Sequence, residues 1–188
     1  MKTFKKTILA LSLGLLTLSA FAQQMDNTVL VGGEAMYPMK DIVDNAVNSK
    51  AHTTLVAAVK AADLVSTLKT KGPFTVFAPV NDAFDDLPKG TVESLLKPEN
   101  KATLQKVLTY HVLSGKYDFD AIAKLITSGN GKAELKTVSG GKLWAMMNGK
   151  HNIVLKDENG AVANISTYDV YQSNGVIHVI DSVVLPKM

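Results

Sequence analysis

A single α+β domain follows from three features of the sequence. Apolar residues recur at helical spacing through the first half, from Ile42 to Ile126. Short β-branched runs fill the second half, punctuated by four Asn-Gly pairs at Asn130, Asn148, Asn159 and Asn174, a pairing suited to turns. One strand-like run, Phe74–Ala78, stands among the helices and must cross to the sheet, which ties the halves into one unit. The expected architecture is helices packed on a largely antiparallel sheet, covering residues 38–188.

The N-terminus reads differently. Lys2, Lys5 and Lys6 form a basic region, Ile8–Leu18 an apolar one, and Ala20-Phe21-Ala22 a small-x-small cleavage signal. Residues 1–22 are therefore expected to be a signal peptide, with the mature chain starting at Gln23 and exported to a periplasm or beyond. The apolar run is too short to span a bilayer comfortably, so no integral span is expected after cleavage. Losing three lysines with the leader balances those remaining against the 17 acids, so the net charge of +3 belongs to the precursor. The chain also has no Arg. Nucleic-acid binding thus lacks both an electrostatic footing and bidentate donors. The absence of Cys excludes disulfides, zinc-thiolate sites and cysteine nucleophiles, so an exported chain of this kind must rely on its core.

The elements follow in order. Residues 23–37 are a polar, Gly-containing lead-in, expected to be loose or an extended strap. Asp41 caps a helix bearing Ile42, Val43, Ala46 and Val47, and Thr53-Thr54 caps a second with Leu55, Val56 and Val59 on its apolar face. Leu64, Val65 and Leu68 continue to Gly72-Pro73. After the Phe74–Ala78 strand, Asn81-Asp82 opens a helix ended by Pro88. Thr91–Leu96 is ended by Pro98, Asn100–Tyr110 carries a Leu104, Val107, Leu108 stripe, and Phe119–Ile126 stops at Gly129. Strands are expected at Leu135–Val138, Leu143–Met147, Ile153–Lys156, Val162–Thr167 and Val176–Val184.

Two apolar segments are broken by polar residues that a buried strand should avoid: GPFTVFAPVNDAFDDLP from Gly72 and NGVIHVIDSVVLP from Asn174. Tyr110-His111 lies between them, at the end of a helical stretch. These three segments resemble the two flanking motifs and the central Tyr-His motif of the fasciclin (FAS1) domain, over roughly Tyr37 to Pro186. The resemblance implies a compact α+β domain with a twisted, wedge-like β core and helices on one side. It also implies that His111 hydrogen-bonds an acidic or amide side chain of the first motif, which points to Asp82 or Asn81.

Chemistry is sparse. Of the four histidines, His52 precedes a helix and is expected in solvent, and His151 falls in a turn. His111 and His178 interrupt apolar runs and are expected to be neutral and hydrogen-bonded. Ser66–Lys69 fits S-x-x-K, but its Ser-Asp-Asn and Lys-Thr-Gly companions are missing. Met36, Met39, Met146, Met147 and His151 suggest copper, yet Met146 and Met147 must point to opposite faces of a strand. No metal, cofactor or catalytic residue is assigned, and the Asn164-Ile165-Ser166 sequon is incidental in a chain with a bacterial-looking leader.

The resemblance therefore implies a secreted, non-enzymatic adhesion or interaction module that contacts a protein or a cell-surface or matrix component. In animal members an Asp-Ile dipeptide at the place of Asp169-Val170 and the Tyr-His segment are implicated in receptor binding. That nominates Asp169, Val170, Tyr168, Tyr171 and Tyr110 as contact residues; the plainer use of Asp169 is to cap a turn. The alternative is a carrier of an apolar small molecule such as a carotenoid, lined by Trp144, Met146, Met147 and Tyr168.

Overall fold

A computed structural model describes residues 28–187. The signal-peptide expectation for residues 1–22 lies outside the described residues. The chain opens with a hairpin of β1 (Val29–Val31) and β2 (Glu34–Met36). Within the lead-in, expected to be loose or an extended strap, residues 29–36 instead form this hairpin. Gly32 and Gly33 both take positive φ, as a tight two-residue turn requires. Val31 and Met36 pack into the core, so the lead-in has an apolar anchor on each strand.

Seven α-helices follow among the described residues: α1 (Ile42–Ala46), α2 (Thr53–Ala61), α3 (Val65–Leu68), α4 (Asn81–Asp85), α5 (Thr91–Leu95), α6 (Lys101–Tyr110) and α7 (Phe119–Ser128). Asp41 caps α1 as expected, accepting from the Asp44 N–H. The Thr53-Thr54 cap is replaced by a tertiary one. Thr53 is already helical, and the Asn81 side chain accepts from Thr54 N at 3.1 Å.

The main sheet has seven strands in the order β4-β3-β9-β8-β7-β6-β5. These are β3 (Phe74–Pro79), β4 (Val112–Ser114), β5 (Lys132–Lys136), β6 (Lys142–Met147), β7 (Ile153–Lys156), β8 (Val162–Gln172) and β9 (Gly175–Ile180). Every pairing is antiparallel except β3–β9, the second and third strands of that order, which is parallel. The Phe74 strand does cross into the sheet. β4 had no signal of its own, since three residues straight after a helix show no alternation. β8 runs five residues past its expected end at Thr167, because bulges between Ile165 and Val170 break its period. β9 ends at Ile180, and the chain then leaves the sheet as a tail.

Two cores lie on the two faces of the β3–β9 seam. Val76, Ala78, Ile177 and Val179 face the helices with Leu55, Ala58, Leu104 and Leu108. Phe77 and Ile180 face the other way, into a core of Leu143, Ile153, Leu155, Ile122 and Ile126. Strand alternation alone assigns these sides. The seam demands close approach: a Cβ on Gly175 would lie 2.1 Å from the Phe74 carbonyl oxygen. The last Asn-Gly pair thus serves packing, whereas Asn130-Gly131 has two positive φ angles.

Candidate contact site

The helical side leaves an apolar cleft of about 240 Å³. Ile42, Val43 and Val47 of the α1 region and Leu55, Val56 and Val59 of α2 line it; Val76 of β3 and Leu108 of α6 also contribute. Its origin is local. The helices α1 and α3 are five and four residues long, too short to roof the seam. Val47 consequently stays 46% exposed. The rim is charged. Lys69 bridges Asp41 at 3.0 Å and also reaches Asp44, while Lys60 stands beside them. The two carboxylates hold the Lys69 ammonium above its usual pKa. Ser66 and Lys69 of the S-x-x-K match are both exposed here, and Lys69 is bound to carboxylates.

The α1 region is pinned by amides, of which only Asn174 stands out in the sequence. Asn174 accepts from Ile42 N at 3.0 Å and donates to the Leu68 and Thr70 carbonyls. Asn45 donates to the Tyr37 carbonyl at 2.8 Å and to Gln172. Asn and Gln inside such segments carry no periodic signal. Their only cue was Asn174 within the second fasciclin-like motif.

The nominated contact residues are not a surface patch. Tyr110 is fully buried; its hydroxyl donates to the Lys142 carbonyl and accepts from Glu158 N. Burial is the main reason its pKa is pushed up to about 12. Val170 is also fully buried, in the helix-side core. Asp169 sits at φ 56° in the β8 bulge, and its carboxylate accepts from Phe119 N at 2.8 Å, beside Asp118, which caps α7 by accepting from Ala121 N. Tyr168 is half-buried, with its hydroxyl accepting from Ile153 N. Tyr171 is half-buried under the Lys116 ammonium, near Asp118. Tyr168 and Asp169 face one neighbourhood, but Tyr110 lies in another, among the β6 and β7–β8 loop residues.

The expected His111 pairing with Asp82 or Asn81 is also corrected. His111 is buried, and both its ring nitrogens are taken: Nδ1–H donates to the Val107 carbonyl at 2.8 Å, and Nε2 accepts from Val184 N at 3.2 Å. Burial drives its pKa down to about 4, so the ring is neutral. Asn81 instead holds the start of α2, and Asp82 is exposed on α4. His111 therefore joins α6 to the C-terminal tail. Nearby Asp157, also buried, accepts from Asn159, Ala161 and Leu185 N–H groups and fixes the same tail.

His178 is neutral and satisfied as expected. Its Nε2–H donates to the Tyr117 carbonyl at 2.8 Å and its ring stacks on Phe77. Burial lowers its pKa. His52 is not in solvent: it is 1% exposed, with Nδ1 on Ser49 Oγ and Nε2 without a partner among the described residues. His151 is exposed in the β6–β7 turn. Met36 is buried and Met39 exposed, while Met146 and Met147 take opposite faces of β6, so these groups do not converge. The same alternation splits the proposed carrier lining: Trp144 and Met146 face outward, Met147 and Tyr168 pack on the inner core.

The sequence pattern of the Fasciclin domain matches residues 50–186. The chain belongs to the fasciclin family. Among curated relatives, protein sll1483 of Synechocystis sp. is 44% identical over 182 residues, covering 94% of this chain and 91% of that one. Immunogenic protein MPB70 of Mycobacterium bovis is 32% identical, covering 75% of this chain and 66% of its own. Transforming growth factor-beta-induced protein ig-h3 of Sus scrofa is 34% identical, over 79% of this chain but only 20% of its own length. Among solved structures, a FAS1 domain pair from the insect cell adhesion molecule Fasciclin I superposes with a TM-score of 0.68 at 19% identity, over 79% of this chain and 52% of that one. That likeness establishes the fold. Among the described residues no helix is long and apolar enough to cross a membrane.

Proposed function

We propose that this fasciclin domain is an exported, non-enzymatic contact module that grips a partner protein or cell-surface component through the cleft between α1, α2 and α3. The observation that carries this reading is the cleft itself: apolar within, charged at the rim, and about 240 Å³ in volume. Small-molecule sites run from roughly 300 to 1,000 Å³, whereas an anchor side chain in a desolvated pocket needs less. A charged rim selects partners more than it adds affinity. The adhesion molecule among the structural neighbours supports a contact role. Export rests on the leader-like residues 1–22.

The same cleft favours one second reading, carriage of an apolar small molecule, since its walls are almost wholly apolar. Cell or matrix attachment by purified protein, with Val43→Asp and Val47→Asp as variants, separates the two. Loss of attachment at unchanged melting temperature supports the contact module. Attachment retained by both variants overturns it. A visible chromophore or a bound mass in natively isolated protein favours the carrier.

A further inference from the structure

The outer face of the sheet, far from the cleft, carries a lysine grid around the chain's one Trp. Strand registry sets it out in rows. Lys132 lies opposite Met146, which lies opposite Val154. Glu134 lies opposite Trp144, Trp144 opposite Lys156, and Lys156 opposite Val162. Lys136 lies opposite Lys142. Their neighbours Ala133, Leu135, Leu143, Ala145, Ile153 and Leu155 all face inward and are buried, so the rows share the solvent face.

From Lys132 to Lys156 the sequence holds five lysines and a single acid, Glu134. That acid is bound to Lys142 at 3.0 Å. Lys136 and Lys156 have no ion-pair partner among the described residues. Lys132 lies over the Trp144 ring, 4.8 Å from its centroid. The segment Asn81–Asn100 has the opposite balance, with Asp82, Asp85, Asp86, Glu93 and Glu99 against Lys89 and Lys97. A nearly neutral mature chain is thus strongly polarised, and the field over the β5–β7 face attracts anions.

We propose that this face binds an anionic glycan, a polymer of sugar rings bearing carboxylate groups. Lys136 and Lys142 face each other on neighbouring strands about 4.8 Å apart, Lys132 lies four residues from Lys136 along β5, about 13.6 Å away, and Lys156 stands across Trp144 from Glu134. This rigid grid suits charges repeated along a chain rather than one compact anion. Trp144 and Met146, half-buried and lying within the face, offer a flat apolar strip. The C–H-rich face of a sugar ring stacks on such an indole once Lys132 swings aside to pair with a carboxylate. A membrane surface fits less well, because interfacial binding needs apolar side chains that project and insert. The absence of Arg disfavours bidentate phosphate recognition.

The test is titration of Trp144 fluorescence with polygalacturonate, using dextran, polyglutamate and phosphatidylglycerol vesicles as comparisons. The expected result is a saturable change with polygalacturonate alone, weakened by salt as exposed charge pairs are screened. Lys136→Glu with Lys156→Glu should weaken binding on the order of tenfold or more. Trp144→Leu, read by co-sedimentation, should lose a similar factor. Leu30→Ser, on the exposed β1–β2 hairpin outside this face, should leave glycan binding unchanged. Absence of a fluorescence change and of co-sedimentation, equal binding of dextran, or insensitivity to the lysine exchanges overturns the proposal. Equal binding of polyglutamate or vesicles overturns the glycan in favour of a general polyanion surface. If Trp144→Leu fails to fold, the surface lysine pair still decides the matter.

Discussion

The two sides of the β3–β9 seam solve different problems with the same strands. On the inner side, β5–β8 and α7 enclose Leu143, Ile153 and Leu155 completely, and the charged side chains of those strands point away. On the helical side, short helices leave Val43, Val47, Val56 and Val59 at least partly in contact with solvent. The inner core keeps these side chains out of solvent, and the recess at its edge, by Leu113, Leu125 and Leu135, is partly polar, whereas the recess of the helical side is apolar. The contrast explains why the residues first nominated for contact turned out to be structural. Tyr110, Asp169 and Val170 belong to the joints between the two sides, where burial and hydrogen bonding are densest.

The seam offers the most severe way to break this arrangement. Gly175→Ala forces a side chain against the β3 backbone, and nothing flexible can give way. A loss above about 3 kcal/mol is expected by denaturant unfolding, since backbone must move. Comparing the two sides comes next. Leu155→Ala, in the sealed core, should cost about 2–5 kcal/mol, whereas Val59→Ala at the cleft should cost under about 1 kcal/mol, because solvent already reaches that site. Equal losses would erase the distinction.

The buried histidines sharpen it through pH. The fold favours neutral His111, His178 and His52, so their folded pKa values lie below the unfolded value near 6.5. Stability is therefore complete above about pH 6.5. It falls as the pH drops toward 4, where the unfolded chain binds protons that folded His111 refuses; the loss from that residue reaches roughly 3 kcal/mol. A melting temperature flat from pH 7 to 4 would contradict this. The smallest expected effect is at Asp169→Ala, which leaves the Phe119 N–H at the start of α7 without its acceptor while the Asp118 cap remains, and should cost about 0.5–1.5 kcal/mol without touching attachment.

Much of the fold was legible from pattern. The period of α6 and α7, the crossing strand and the hairpin turns all follow from side chains whose spacing reports their faces. The site was less so. Burial of Val170 depends on a β-bulge, which breaks the period of β8 and so hides which face Val170 takes. His111 is buried, but its partners are backbone groups of Val107 and Val184, which every residue possesses and no motif advertises. Asn81 looked like a partner for His111 because both lie in the family motifs, yet the α2 start needed a donor's acceptor more. The cleft arises from helices being too short, a matter of length and tertiary placement.

The most direct test of the two-sided account is amide hydrogen exchange of the wild-type protein, followed peptide by peptide. Helices α1 and α3 should exchange by local opening, with protection well below that of β8 and β9, whose amides should exchange only through global unfolding. Protection in α1 and α3 equal to that of β8 and β9 would contradict it, because the helical side would then be as closed as the sealed core.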